Sequence, residues 1–402
     1  MKVALQHQNS DRRTRPSGAA FRAGSPRTAL KATPGDAKQH NRVLVLQTLY
    51  LSDPLSRADL ARATGLTKVT ISGLVAELLN EGLLRELGHQ ESQRPGKPAT
   101  LVDLARDNHA VVALDLSDHR RLRGAVMTIA GEVLARAEAA NDGAVGDEAC
   151  TLAANLALHL QQQVNPNISL LGLGVGTPGV VDDEGVVRTA QNLAWEDLPL
   201  RSILEERTGL PTVVANDANV AALAEYSYGD SSDNFILIAI GDGVGSGLII
   251  GGRPVTGTYF ASGEIGQVMV GTDLGLDAPY SREQVLEHWL SVPALTRALK
   301  ASGGSPSGLN TPGRERVLRE AGQRLGIALA PVVGVLNLAE VVIAGPEELV
   351  EGTLAEATLE ILQRRTMPDS HSNLVLRTSS QGKDLVLRGA TAIVLTEQLG
   401  VS

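Results

Sequence analysis

Cysteine occurs once in 402 residues, at position 150. A lone thiol excludes an intrachain disulfide framework and a cysteine-built zinc cluster. Long apolar runs are also missing: no stretch reaches the ~18 uninterrupted apolar residues that a membrane helix needs. The opening Met-Lys-Val-Ala-Leu turns polar before it can form a signal core. A cytoplasmic chain with no membrane partner is the expectation. What is present is ordinary for a soluble protein, 43% hydrophobic and 20% charged residues, except for 42 glycines, above the usual share of about 7%. That excess implies many tight turns and close backbone approaches. At roughly 150 residues per domain, the length predicts two to three domains with a real core and excludes fibrous and mini-protein readings.

The net charge of −9 is unevenly placed. Residues 1–106 hold 16 Lys and Arg against 9 Asp and Glu, a balance of +7, while residues 107–402 carry −16. A basic N-terminal piece on an acidic body suggests a polyanion-binding module attached to something with a different task.

Residues 1–36 are rich in Arg, Ser, Gly, Pro and Ala without apolar periodicity, which predicts a disordered basic arm. From Gln39 the spacing of Val43, Leu46, Leu49 and Tyr50 predicts an amphipathic helix that ends before Pro54. Ser56 caps a short helix carrying Leu60 and Ala61, Gly65 breaks it, and Thr67 caps a third helix with Ile71, Leu74, Val75, Leu78 and Leu79 on one face. Gly82 closes that helix, and extended runs at 83–85 and 100–102 flank a polar tip from Gln90 to Pro98. Helix, glycine turn, helix and hairpin make a winged helix-turn-helix over residues 37–106, whose second helix would enter the major groove of double-stranded DNA. Thr67, Lys68, Thr70 and Ser72 are the short polar and cationic residues at its start, suited to phosphates and base edges. Arg94 and Lys97 on the wing tip are suited to phosphate or the minor groove. An ordinary helical hairpin with solvated polar residues is the alternative that the wing argues against.

Beyond residue 107 the pattern is α/β. Strands are expected at 110–116, 122–129, 170–174, 212–215, 235–240, 247–250 and 341–344. Helices are expected at 146–163, 200–208, 217–228, 282–300, 313–337 and 389–399. The Gly-rich segments fall between strands, where phosphate and sugar loops usually lie.

Four segments together carry a resemblance: Ile240-Gly241-Asp242-Gly243-Val244-Gly245-Ser246-Gly247-Leu248 followed by Gly257 and Gly263-Glu264-Ile265-Gly266; Gly174-Val175-Gly176-Thr177-Pro178-Gly179; Asn192-Leu193 with Trp195; and Asn216-Asp217-Ala218-Asn219. With these motifs, residues 38–399 resemble the ROK family (repressor, open reading frame, kinase), specifically its transcriptional regulators with an N-terminal winged helix-turn-helix. The resemblance implies an actin-like ATPase (sugar-kinase-like) fold over 107–402, with lobe I at about 107–229 plus 389–402 and lobe II at about 230–388. It implies a sugar in the cleft and, in the kinases, ATP beside it. The aspartate matching Asp217 would be the base on a sugar hydroxyl, while Asn216 and Glu264 hold hydroxyls. The residue chemistry agrees, since an amide offers donor and acceptor and carboxylates accept from hydroxyls.

Two departures decide what the cleft does. Family kinases carry Asp-x-Gly-x-Thr in the first hairpin, whereas this chain reads Asp115-Leu116-Ser117-Asp118-His119-Arg120-Arg121, and Asp242 stands where a small hydroxyl residue is common. Carboxylates at 118 and 242 facing ATP phosphates would cost about 4 kcal/mol per like-charged pair at 4 Å and an effective dielectric near 20. Phosphoryl transfer rests on charge stabilisation, so no enzyme activity is expected. The second departure is metal. Many members place a His after Glu-Ile-Gly and cysteines downstream for zinc; here Gln267 follows Gly266, with no Cys or His until His288. No metal and no cofactor are expected, and Gln267 joins Asn216, Asp217 and Glu264 as a sugar ligand.

The reading is a DNA-binding repressor of sugar metabolism or transport genes, with operator affinity altered by a sugar or sugar phosphate in a disabled kinase-like cleft. Homodimers or tetramers on an inverted-repeat operator are expected, because one unit buries too little surface for specificity. The enzyme rival is an ATP-dependent sugar kinase carrying a DNA-binding domain. A body that only dimerises is a third possibility, against which Asn216, Asp217 and Glu264 argue.

Overall fold

The structure, a computed structural model, describes residues 34–89, 99–118, 120–271, 277–303 and 311–401. Most of the basic arm and the wing tip with Arg94 and Lys97 lie outside these residues. The first helix, α1 (Pro34–Tyr50), begins inside the segment expected to be arm. Proline suits a first helical position, where its preset φ fits and its missing N–H would have had no partner. From Arg42 onward the chain forms one compact unit.

Strand β1 (Leu55–Ser56) leads into α2 (Arg57–Thr64), where Ser56 and Asp59 form a reciprocal capping box and Gly65, at φ 72°, ends the helix. Thr67 caps α3 (Lys68–Asn80), and β2 (Leu84–His89) and β3 (Thr100–Leu104) complete an antiparallel sheet in the order β1-β3-β2. The N-terminal module is therefore a winged helix-turn-helix. Its core of Val45, Leu46, Leu49, Leu60, Ile71, Val75 and Leu78 is fully buried and continuous with Val111, Ile129, Leu395, Leu399 and Val401 of the body. Arg106 donates to the carbonyls of Leu49 and Tyr50, satisfying the C-terminal end of α1.

The body repeats one sheet plan twice. In lobe I, β4 (His109–Asp115), β5 (Arg121–Thr128) and β6 (Val133–Ala140) form an antiparallel meander. After α4 (Gly146–Gln162), β7 (Ser169–Thr177) returns parallel to β4. A small sheet of β8 (Val180–Val181), β9 (Val187–Ala190) and β10 (Trp195–Leu198) follows, then α5 (Leu200–Thr208) and β11 (Thr212–Asn216), parallel to β7. The order is β11-β7-β4-β5-β6. Helix α6 (Asp217–Tyr228) crosses to lobe II, where β12 (Asn234–Ile240), β13 (Val244–Ile250) and β14 (Arg253–Pro254) form the second meander. Helices α7 (Leu286–Leu290), α8 (Val292–Ala301) and α9 (Pro312–Leu336) precede β15 (Glu340–Ala344). Then come α10 (Glu347–Val350), α11 (Thr353–Arg365), α12 (Pro368–His371), β16 (Val375–Thr378) and α13 (Leu385–Leu399). Both β15 and β16 add in parallel, giving β14-β13-β12-β15-β16.

All seven expected strands are present. The expected helix over 282–300 is two helices, because Ser291 is extended (ψ 149°) and Pro293 cannot continue the preceding hydrogen-bond ladder. Strand β6 was not expected: Val-Leu-Ala-Arg-Ala-Glu-Ala-Ala consists largely of helix formers, and pairing with β5 overrides that preference. Helix α13 begins at Leu385, earlier than expected, and packs against β4, β7 and α6. A Cβ on Gly389 would stand 1.8 Å from the Val220 carbonyl oxygen of α6, and one on Gly174 1.9 Å from that of Ala390. Neither obstacle is a movable side chain. Gly389→Ala is expected to lower stability by about 1–3 kcal/mol in urea unfolding; an unchanged midpoint would mean that α6 and α13 are not in this contact.

Candidate functional site

Register alone brings the carboxyl ends of three parallel strands together: Asp115 of β4 pairs with Gly176, and Thr177 of β7 with Asn216 of β11. Ligands of open parallel sheets bind at such ends. Asn216 is the N-cap of α6, its Oδ1 accepting from the Asn219 N–H at 3.1 Å while its Nδ2 donates to the Gly179 carbonyl at 2.9 Å. It therefore fixes the loop, and the cap belongs to Asn216 rather than to Asp217. Asp217 is the first helical residue, and its Oδ1 accepts from the Ala218 N–H at 2.8 Å.

A helix N-terminus by itself favours a carboxylate. The Asp217 pKa is nevertheless pushed up to about 7, chiefly by burial and then by the negative charges of Asp115 and Glu264, against the opposing bonds from Ala218 and Ser117. Asp115 is fully buried. It accepts from the Ser117 hydroxyl at 2.6 Å and from Arg123 at 2.6 Å. Ser117 thus stands between two carboxylates. Sequence reading treated Asp115 and Ser117 as remnants of a phosphate loop. Their membership in this cluster was recoverable from strand order, which places the end of β4 beside those of β7 and β11.

From lobe II, Glu264 and Gln267 lie on one turn of 3₁₀ helix, where the Gln267 N–H donates to the Glu264 carbonyl at 3.1 Å. Residues three apart on such a turn share a face. Partial desolvation and the neighbouring Glu287 raise the Glu264 pKa, although the residue keeps an exposed surface. Gln267 is exposed, and its Oε1 accepts from the Tyr280 hydroxyl at 2.9 Å. The electrostatic coupling of Glu264 to Asp217 ties this turn to the α6 end of the cleft.

On the DNA-binding module, Lys68 and Ser72 are exposed on the first turns of α3 while Ile71, Leu74, Val75 and Leu78 face inward. Thr67 spends its hydroxyl on the cap, accepting from the Thr70 N–H at 3.2 Å, and lies 2.9 Å from the Thr70 hydroxyl. Sequence reading missed Val69, which is 83% exposed beside Lys68.

The family model described as "ROK family" matches residues 112–397, well over half of the chain. The chain belongs to the ROK family. It is 28% identical to a xylose repressor of Caldicellulosiruptor bescii over 394 residues, covering 90% of this chain and 97% of that one. Similarity to a glucokinase of Halalkalibacterium halodurans is 34% over 181 residues, 44% of this chain and 55% of the enzyme. Among solved structures, a ROK family transcriptional regulator described as a homolog of the E. coli MLC protein superposes with a TM-score of 0.78 at 24% identity, covering 90% of this chain and 97% of that one.

Against what a ROK kinase needs, two backbone regions are already engaged. Asp118 closes its own turn, one carboxylate oxygen accepting from the Arg120 N–H at 2.8 Å. In the second glycine loop the Val244 N–H donates to Glu287 at 3.0 Å, placing a carboxylate on the backbone that would cradle phosphate. The residues about the Glu264 turn do not fit a ROK zinc site either. Gln267 offers an amide bonded to a phenol, and the His288 ring stacks edge-on against Trp289 with centroids 5.5 Å apart.

The unfolded chain holds an aspartate near 3.9, so the folded protein binds an extra proton at Asp217 between about pH 4 and pH 7. Stability from the protonated form is lost as pH rises through that window. Asp217→Asn, which stays neutral, should show a small gain in Tm over wild type at pH 5 and a larger one at pH 8. A gap that stays constant with pH would contradict the raised value.

Proposed function

We propose that this protein is a transcriptional repressor whose affinity for operator DNA is set by a neutral sugar held at Asn216, Asp217, Glu264 and Gln267. The observation that carries this reading is the course of α6. Its first residue is Asp217 in the cleft, and its last, Tyr228, stands close enough to Tyr50 at the end of α1 in the DNA-binding module for the two phenols to act on each other electrostatically, while its hydroxyl donates to the Ile129 carbonyl at 3.5 Å. Between them Glu225, fully buried, is held by Arg377 at 3.0 Å and by Ser379, and Arg377 also pairs with Glu340. One rigid element thus touches the sugar site, lobe II and the reader of DNA. A sugar that shifts the start of α6 against Glu264 would move Tyr228 against Tyr50, and so change operator affinity.

Charge favours a neutral ligand over a sugar phosphate. Asp115, Asp217, Glu264 and Glu287 gather at the cleft, and Arg123 is spent on Asp115. A phosphate among them meets repulsion of about 4 kcal/mol per pair at 4 Å. Because the full-length relative is named a xylose repressor, xylose is the first sugar to test. A homodimer on an inverted repeat is part of the proposal, since two α3 helices supply the contacts that one lacks.

One observation favours a second reading, a sugar kinase: an aspartate with a pKa near 7 has the value a general base requires. Turnover of ATP with xylose or glucose that Asp217→Asn abolishes would establish it. The engaged phosphate loops argue the other way.

Two outcomes test the repressor reading. Lys68→Ala should weaken operator binding and reduce the slope of log affinity against log salt by about 1. Tyr228→Phe should bind xylose and operator much as wild type does, yet lose most of the sugar's effect on operator affinity in anisotropy titrations. Full sugar response in that variant would remove the Tyr228 hydroxyl as the connection.

A further inference from the structure

The outward edge of α3 carries two residues that the fold does not explain. Val69, in the first helical turn, leaves 83% of its surface in solvent. Scattered exposed hydrophobic residues are common, and alone this one would mean little. One turn further along the same edge, at i+4, stands Gly73, inside the helix and exposed. Glycine is the poorest helix former after proline. Elsewhere in this protein glycines permit backbone contacts closer than a Cβ allows, as at Gly174 and Gly389, but a Cβ on Gly73 would meet nothing within 4 Å. Among the described residues no neighbour requires its bareness.

We propose that Val69 and Gly73 form a reading edge for the C5 methyl group of thymine in the major groove, Val69 covering the methyl and Gly73 letting α3 seat deeply. This rests on the repressor reading and names a base for it. The first turns of the second helix of such a unit face base edges. In the major groove thymine alone presents an apolar methyl, which an aliphatic side chain can cover. The flanking groups suit the surroundings of that contact: Lys68 supplies a cation for phosphate, and Ser72 a hydroxyl for a neighbouring edge. The expectation is at least one A·T pair per half-site whose thymine faces Val69.

The test uses the full-length chain to enrich duplexes from a random pool, then remakes the enriched duplex with deoxyuridine replacing each thymidine in turn, which deletes only the methyl. Wild type should lose affinity by about fourfold at one thymine per half-site, the factor for exposing one buried methyl. Val69→Ala should show a similar loss on the thymine duplex and no further loss with uracil there, while Val69→Thr, which keeps one methyl, retains part of the discrimination. Gly73→Ala should raise Tm and weaken binding, a split that a purely structural glycine would not give. Specific enrichment with no dependence on any thymine methyl overturns this inference alone. Failure to enrich any sequence overturns it together with the repressor reading.

Discussion

Helix α6 is clamped by backbone on more than one side, and the rest of the molecule depends on that clamp. On the lobe II side a Cβ on Gly247 of β13 would stand 2.3 Å from the Ala218 carbonyl oxygen, and across the helix one on Gly389 of α13 would stand 1.8 Å from that of Val220. Contacts this close leave little room for gradual sliding, because packed interiors respond to strain by changing between arrangements rather than by flowing. The helix is therefore suited to pass on a displacement of its first turn. Its two ends lie where such a displacement matters, at the carboxylate cluster and at the tyrosine pair beside the DNA-binding core.

The merged core gives the same coupling a second support. Leu395 and Leu399 of α13, and Val401 just beyond it, are buried with Val45, Leu46 and Leu49 of α1, so the DNA-binding module does not have a private interior. Any shift of α13 against α6 reaches the module through hydrophobic contact as well as through Tyr50. The electrostatics are consistent with a binding site. Carboxylates gathered closely enough to raise the proton affinity of Asp217 and Glu264 are costly to assemble, and they suit hydroxyl donors better than anions.

Much of this was legible in the sequence where one local rule decides. Ser56, Gly65 and Thr67 marked the ends of α2 and α3 because capping and left-handed turns depend on near neighbours. The glycine motifs carried the family and with it the placement of Asn216, Asp217 and Glu264. What sequence reading missed depends on distant partners. The β6 segment is a strand because β5 pairs with it, despite its alanines. Asp115 and Ser117 join Asp217 only once β4, β7 and β11 align, and Glu287 meets the second glycine loop from 43 residues away. Likewise the elevated proton affinity of Asp217 is not readable from its place at a helix start, where the dipole alone would favour the carboxylate, since burial and neighbouring carboxylates outweigh it.

Reciprocity tests the central claim that the cleft and the DNA reader share one equilibrium. A calorimetric titration of the sugar that most stabilises the protein, made with free protein and again with protein saturated by operator duplex, gives two dissociation constants. Linkage requires their ratio to equal the factor by which that sugar changes operator affinity. The account predicts weaker sugar binding to the DNA complex, with a tenfold effect appearing as a difference of about 1.4 kcal/mol in both directions. Equal sugar affinity in the two titrations would contradict it.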